Sequence, residues 1–242
     1  MRMRKKKNGA QRLSACGEFL LDSPSSPMND PGAALGMNGA PVYLEIGAGK
    51  GGFACQMAAR HTDCAYFAME RVTDCVMLAA ERAKRDGVEG NLRFIADTAD
   101  NLTSIFGSGS VDAIFLNFSD PWSKKGYAKR RLTHARYLAV YFNLLKDGGI
   151  LRFKTDNVGL FDFSLEQIEQ MGLKLNKCTR DLHSSEYAEG NIMTEYETAF
   201  SSQGIKINML EVVKPEGYSP EISAELLRGG RFAYTNGERK ND

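Results

Sequence analysis

Tryptophan occurs once in the 242 residues, at position 122, and histidine only at positions 61, 134 and 183. Histidines so far apart show no metal-ligand spacing, and supporting roles suit them better. The five cysteines (Cys16, Cys55, Cys64, Cys75 and Cys178) are odd in number and form no Cys-x-x-Cys pair. A disulfide framework and a zinc site are both disfavoured, and a reducing, cytoplasmic setting without a bound metal is expected. Long apolar runs are also missing. None approaches the roughly 20 residues that cross a bilayer, so no membrane partner is expected. Met1–Lys7 is basic, but the apolar stretch of a secretory signal does not follow it.

A large excess of one charge is lacking as well, since the formal net charge is +1. The balance hides segregation. Arg2, Arg4, Lys5, Lys6 and Lys7 crowd the N-terminus, and Lys124, Lys125, Lys129, Arg130 and Arg131 crowd one later stretch. The rest of the chain is net acidic. Two basic patches let a near-neutral protein bind a polyanion locally, although a run such as 1–7 also reads as a solvated tail.

The length fits one α/β domain with a sizeable core. Residues 1–40 read as a basic arm followed by a Pro-, Gly- and Ser-rich linker, 41–215 as the domain, and 216–242 as a tail. Apolar runs predict strands at 42–46, 65–69, 92–96, 111–118 and 150–154, with later strands at 174–179, 195–201 and 206–213. Helical spacing falls at 53–60, 72–85, 133–145 and 160–171. Strands alternating with amphipathic helices imply a mostly parallel sheet covered on both faces.

The turn after the first predicted strand reads Glu45-Ile-Gly47-Ala-Gly49-Lys-Gly51-Gly52. Gly47, Gly49 and Gly52 satisfy Gly-x-Gly-x-x-Gly, a pattern shared by dinucleotide sites and by merely tight turns. Three more acids end the next strands: Glu70, Asp97 and Asp120. Glu70 stands where an acid accepts the hydroxyls of a ribose, and acids in register line the mouth where open α/β sheets bind ligands. Glu45 is awkward beside a pyrophosphate but suits the cationic amino-acid end of S-adenosylmethionine. After the fourth strand, Asp120-Pro-Trp122 precedes the basic stretch. A carboxylate, an aromatic plane and a phosphate-binding track thereby meet, a combination suited to chemistry on a nucleobase held by its backbone.

These stretches resemble the bacterial tRNA (guanine-N7-)-methyltransferase family. The matching residues are Glu45–Gly51, Asn117-Phe-Ser-Asp-Pro-Trp-Ser-Lys-Lys125, Lys129-Arg-Arg-Leu-Thr-His134, Phe153-Lys-Thr-Asp-Asn157 and Met193-Thr-Glu-Tyr-Glu197. The resemblance spans about residues 42 to 213. It implies a Rossmann-like class I fold, with a seven-stranded sheet and helices on both faces. It implies methylation, from S-adenosylmethionine, of guanosine 46 in the tRNA variable loop. Glu45, Gly47, Gly49, Glu70, Asp97 and Asp120 match cofactor-site positions, and Asp120 the catalytic one. Lys124, Asp156, Thr194, Glu195, Tyr196 and Glu197 match guanosine-site positions. Gly126, Tyr127, Ala128, Lys129, Arg130 and Arg131 match an RNA-contacting loop.

Two departures stand out. Ser123 replaces the usual Pro, and Gly126-Tyr127 replaces a common Arg-His, so the loop tip carries less charge. The residues by themselves also admit a small-molecule methyltransferase, a non-catalytic RNA-binding subunit, or a nicotinamide-dependent dehydrogenase. Glu45 and the lack of a hydride-transfer acid disfavour the last. No obligate protein partner is evident, and the oligomer is expected to be a monomer or homodimer.

Overall fold

The computed structural model describes residues 8–88 and 90–220. Strands β1 (Val42–Ile46), β2 (Ala65–Met69), β3 (Leu92–Ile95), β4 (Val111–Asn117), β5 (Leu145–Thr155), β6 (Leu175–Thr179) and β7 (Asn208–Val213) form one sheet in the order β3-β2-β1-β4-β5-β7-β6. β1 to β5 pair in parallel, and β7 lies antiparallel between β5 and β6. The carboxyl ends of β1 to β4 therefore share one edge. Order reverses between β1, which continues to β2, and β4, so a crevice opens there.

Helices α1 (Gly9–Ser14), α2 (Gly52–Arg60) and α3 (Thr73–Arg85) cover one face, while α4 (Leu102–Ile105), α5 (Ala135–Leu144) and α6 (Val158–Gln170) cover the other. On the first face Phe53, Ala54, Ala79 and Ala80 meet Tyr66, Phe94 and Phe115. On the second, Leu138, Tyr141, Leu160 and Phe161 meet Leu44, Phe67, Leu116 and Phe153. Burial of both faces of β1, β2 and β4 explains why these strands read as continuous apolar runs. No helix among the described residues is long and apolar enough to cross a membrane.

Two expectations change. Glu195–Ser201 is helix α7, not a strand. Thr194 Oγ1 accepts the Glu197 N–H and Glu197 reaches back to the Thr194 N–H, a reciprocal cap that starts a helix. Residues 22–40 do not form a free linker. Met28 bridges Phe106 between the Ile105 carbonyl and the Gly107 amide, and a 3-10 turn over Pro31–Leu35 buries Pro31 and Gly32. α1 docks on α3 through Arg12, whose guanidinium grips Glu81. The basic run 1–7 and most of the expected tail 216–242 lie outside the described residues. Gly217 and Tyr218 are tied down, to Asp147 and to the Met171 carbonyl.

Candidate active site

The glycine-rich turn and Glu70 build the first wall. Gly49 and Gly51 both adopt positive φ, 55° and 73°. At Gly51 a Cβ would stand 2.7 Å from that of Ala79 and 3.0 Å from the Phe94 ring, so no side chain fits under α3. Glu70 ties this turn to the next: one oxygen accepts the Gly49 N–H at 3.1 Å and the other the Val72 N–H at 2.9 Å. Each oxygen retains a second lone pair.

Glu45 lies beneath that wall and is only 2% exposed. Oε1 accepts from Asn117 Nδ2 at 3.0 Å, whereas Oε2 is buried with no hydrogen-bond partner among the described residues. Burial pushes its pKa up to about 7; the Asn117 bond and the charge of Lys154 pull the other way, and Glu70 adds to the rise.

Asp97 and the start of α5 form the opposite side. Asp97 Oδ1 accepts the Thr98 N–H at 2.6 Å and Asn101 Nδ2 at 2.7 Å, which fixes the turn after β3. Arg136 and the Tyr137 hydroxyl both reach Asp100 Oδ1, at 2.9 and 3.0 Å. His134 caps α5, its Nδ1 accepting the Arg136 N–H at 3.2 Å. Burial first, then the charges of Arg136, Lys129 and Arg131, lower its pKa to about 4 and keep the imidazole neutral.

The turn after β4 is held in an uncommon shape. Phe118 and Trp122 take φ of 52° and 41°, a region that bulky side chains rarely occupy. Each costs about 1 kcal/mol or more. Phe118 N–H donates to the Lys154 carbonyl at 2.9 Å. Arg131 clasps the other end, Nε donating to the Pro121 carbonyl at 2.9 Å and Nη2 to that of Trp122 at 3.2 Å, while its guanidinium lies over Phe163. Arg130 sits over the Trp122 and Tyr127 rings at 5.0 and 4.7 Å. Between these anchors stands Asp120, 68% exposed and 3.7 Å from Arg71.

The third part is a buried polar layer under α7. Lys154 Nζ donates to Glu197 Oε2 at 2.6 Å, the Ile192 carbonyl at 2.9 Å and Asn191 Oδ1 at 3.0 Å. Glu197 Oε1 accepts from Asn191 Nδ2 at 2.7 Å and meets His183 Nε2 at 2.9 Å. Glu195, at the surface, pairs with Arg82. Tyr196 stacks on Phe200 at 4.2 Å and leans on Phe118 at 5.2 Å. Burial and the nearby carboxylate of Asp156 push its phenol pKa up.

One cavity of about 640 Å³ lies between the glycine-rich turn, the start of α5 and the turn after β4, within the range of small-molecule sites, and Asp156 and Thr194–Glu197 are not among the residues that line it. Of the sequence-expected residues, Gly47, Glu70, Asp97, Asp120 and Arg130 line it. Glu45 lies behind it, and Glu197 is wholly buried, its oxygens engaged by the chain itself. Lys124, Lys129 and Tyr127 are exposed beyond the mouth. Arg131 is partly buried and engaged in the turn. Sequence reasoning missed Arg71, Asp100, Arg136 and Tyr137, which also line the cavity. Arg71 follows Glu70 directly, so its place at the mouth was within reach. The pairing of Asp100 with Arg136, 36 residues apart, left no local signal.

The donor set fits a cationic nucleoside. Acids that follow β2, β3 and β4 line the cavity, Glu45 of β1 lies just behind it, and two buried polar atoms, Glu45 Oε2 and Ser119 Oγ, have no partner among the described residues.

Comparison with known proteins agrees. The model of a family described as "Putative methyltransferase" matches residues 39–210. A tRNA (guanine-N(7)-)-methyltransferase of Lachnoclostridium phytofermentans is 43% identical over 84% of this chain and 94% of its own length. One from Macrococcus caseolyticus is 43% identical over 71% of this chain and 80% of its own. Among solved structures, the 16S rRNA methyltransferase KamB superposes with a TM-score of 0.55 at 17% identity, covering 72% of this chain and 88% of that one. An antibiotic-related methyltransferase gives 0.55 at 15%, covering 81% and 96%. These distant likenesses concern the fold alone, the class I methyltransferase sheet with its reversed seventh strand. The close relatives and the family match decide more: the chain belongs to the tRNA (guanine-N(7)-)-methyltransferase family.

Proposed function

We propose that this protein transfers the methyl group of S-adenosylmethionine to N7 of guanosine 46 in the variable loop of tRNA, in the cytoplasm. The observation that carries the reading is the convergence of Glu70, Asp97 and Asp120 on one cavity beside a basic, aromatic loop. Glu45 and Glu70 hold the amino-acid and ribose ends of the cofactor, and Asp97 lies toward its base. When bound, the cofactor supplies a methyl group activated by its attachment to a sulfonium.

The chain itself has little proton chemistry to perform. Guanine N7 carries a free lone pair on the major-groove edge and no proton, so no base is needed to make the nucleophile. What the chain supplies is position and charge. Asp120, fixed by the Arg131 clasp, holds the target ring and stabilises the positive charge that grows on it. Thr194, Glu195, Tyr196 and Asp156 recognise the guanine, and Glu197 shapes their turn. Lys124, Lys129 and Arg130 take backbone phosphates, with Gly126, Tyr127 and Ala128 forming the loop tip. Because base 46 is engaged in the folded tRNA core, the RNA opens locally for the ring to enter.

Labelled S-adenosylmethionine and unmodified tRNA test the reading. Label incorporated at a site that strand-scission chemistry maps to 7-methylguanosine 46 is the expected result; label transferred only to small molecules would overturn it. Asp120→Asn should lower turnover about 100-fold or more while affinity for S-adenosylhomocysteine falls far less. Full activity in that variant would dismiss the charge of Asp120.

A further inference from the structure

Lys154 is the second residue of the matching stretch Phe153-Lys-Thr-Asp-Asn157, yet neither the cofactor site nor the guanine site accounts for it. Its side chain is 2% exposed and its ammonium lies among three acceptors, all from the segment 191–197. The Phe53 ring covers it at 5.3 Å. On the same face of the sheet, one strand over, Asn117 pairs with Lys154 in register and donates to Glu45. Thus the lysine stands between the carboxylate under the cofactor wall and the turn that starts α7.

A buried ion pair is a poor way to gain stability, because apolar residues of similar size often serve as well or better. Removing one partner alone is costly. A hub that spends all three of its donors on one short segment instead fixes where that segment lies. We propose that Lys154 is a positioning residue shared by both halves of the active site: its three hydrogen bonds set the turn Thr194–Glu197 against the sheet, and its charge holds Glu45 ready for a cationic ligand. The inference rests on the methyltransferase reading above.

The charged groups facing Glu45 come from several elements. Lys154 on β5 favours its ionised form, Glu70 at the end of β2 opposes it, and Asn117 on β4 donates to it. Glu197 on α7 is held ionised by Lys154, His183 and Asn191 in spite of burial. Loss of the Lys154 charge therefore moves the ionisation of Glu45 to higher pH. A ligand with an ammonium and a sulfonium binds best when Glu45 is ionised, so its acid limb moves the same way.

Three variants separate charge from geometry: Lys154→Met removes both, Lys154→Arg keeps charge but alters geometry, and Asn191→Ala deletes one arm of the hub. For each, calorimetry gives S-adenosylmethionine affinity from pH 5.5 to 8.5, and steady-state methylation of tRNA gives kcat and KM. Thermal melts report folding. The expected result is an acid limb near pH 7 in the wild type, Lys154→Arg and Asn191→Ala, and a higher one in Lys154→Met. Turnover should fall several-fold in Asn191→Ala and about 100-fold in the two lysine variants, the scale of a misplaced reacting group. If Lys154→Met does not fold, Lys154→Arg and Asn191→Ala still decide the geometric claim, and Lys154→Gln, measured for the limb alone, decides the charge claim. An unmoved limb with turnover unchanged in the folded variants would overturn the proposal. Wild-type protein that neither binds the cofactor nor methylates tRNA would overturn the underlying reading instead.

Discussion

Glu70 offers the sharpest test of the cofactor wall. Glu70→Ala deletes a carboxylate that accepts the Gly49 and Val72 amides, at 3.1 and 2.9 Å. It also deletes the acceptor proposed for the ribose hydroxyls. Both turns are near solvent, so water can take over the two amides, and the melting temperature should fall little. Affinity should respond more. A hydrogen bond to a charged group contributes about 1.5–3 kcal/mol. One such bond lost gives a Kd roughly 10- to 150-fold weaker. The assay is calorimetric titration with S-adenosylhomocysteine at pH 8, where Glu45 is ionised. Glu70→Gln sharpens the result. Its amide keeps one acceptor but points a donor at one of the two backbone N–H groups, so it should bind almost as weakly as the alanine variant. Wild-type affinity in both variants would remove Glu70 from the ligand site and leave it only as a brace between turns.

Other outcomes follow from the same geometry. Glu45 has a native pKa raised to about 7 by burial, so its contribution to stability is full below about pH 4.5 and lost as pH rises through 7; Glu45→Gln should therefore gain on the order of 3 kcal/mol relative to the wild type at pH 8 and little at pH 4.5 in urea melts, while cofactor affinity falls. For His134 the native pKa is lowered to about 4, so stability is present above pH 6.5 and lost as pH falls toward 4; His134→Asn, which retains a capping acceptor, should flatten that acid limb, and an unaltered limb would assign the loss elsewhere. In the basic loop, Lys129→Ala should reduce the salt slope of tRNA binding by about 1 if it meets one phosphate, whereas Arg131→Ala, which releases the Pro121 and Trp122 carbonyls, should depress turnover at saturating tRNA. Equal salt slopes and equal rates in the last pair would show a merely solvated face.

The legible parts of the chain were those whose signal is local. β1 to β4 are buried on both faces, so each shows as an apolar run, and the acid that ends each run marks the shared mouth. The switch point then follows from parallel order. The strand expected at 195–201 runs against a helix signature that the sequence carries: Thr194-x-x-Glu197 is the cap pair of a helix start, and Tyr196 and Phe200, four apart, share a face. Apolar alternation in so short a segment outweighed it. Glu197 went with it, because in a strand it would face outward and in the capped turn it faces Lys154. The Lys154–Glu197 and Asp100–Arg136 pairs are written in residues 43 and 36 apart, and nothing in either neighbourhood predicts the partner. Arg131 looked like one more phosphate contact in a basic run, and only the folded turn shows it holding carbonyls.

Two ligands of opposite charge explain why the site is divided as it is. A cationic cofactor calls for carboxylates, and a polyanionic RNA calls for ammonium and guanidinium groups. Mixed together, the two sets would neutralise each other, as Arg71 and Asp120 begin to do at 3.7 Å. Fields of exposed charges fade over about 8 Å at physiological salt, so a modest separation is enough. The strand ends supply the acids, because parallel topology gathers them at one edge. The loop after β4 supplies the cations, and between the two sets the chain must turn sharply. That turn carries the two side-chain-bearing residues of strained φ that flank Asp120, and Arg131 is withdrawn from the cationic set to hold it. Strain is therefore concentrated where acidic and basic fields meet, which is where the function proposed above would bring the ring of the target base beside the methyl donor.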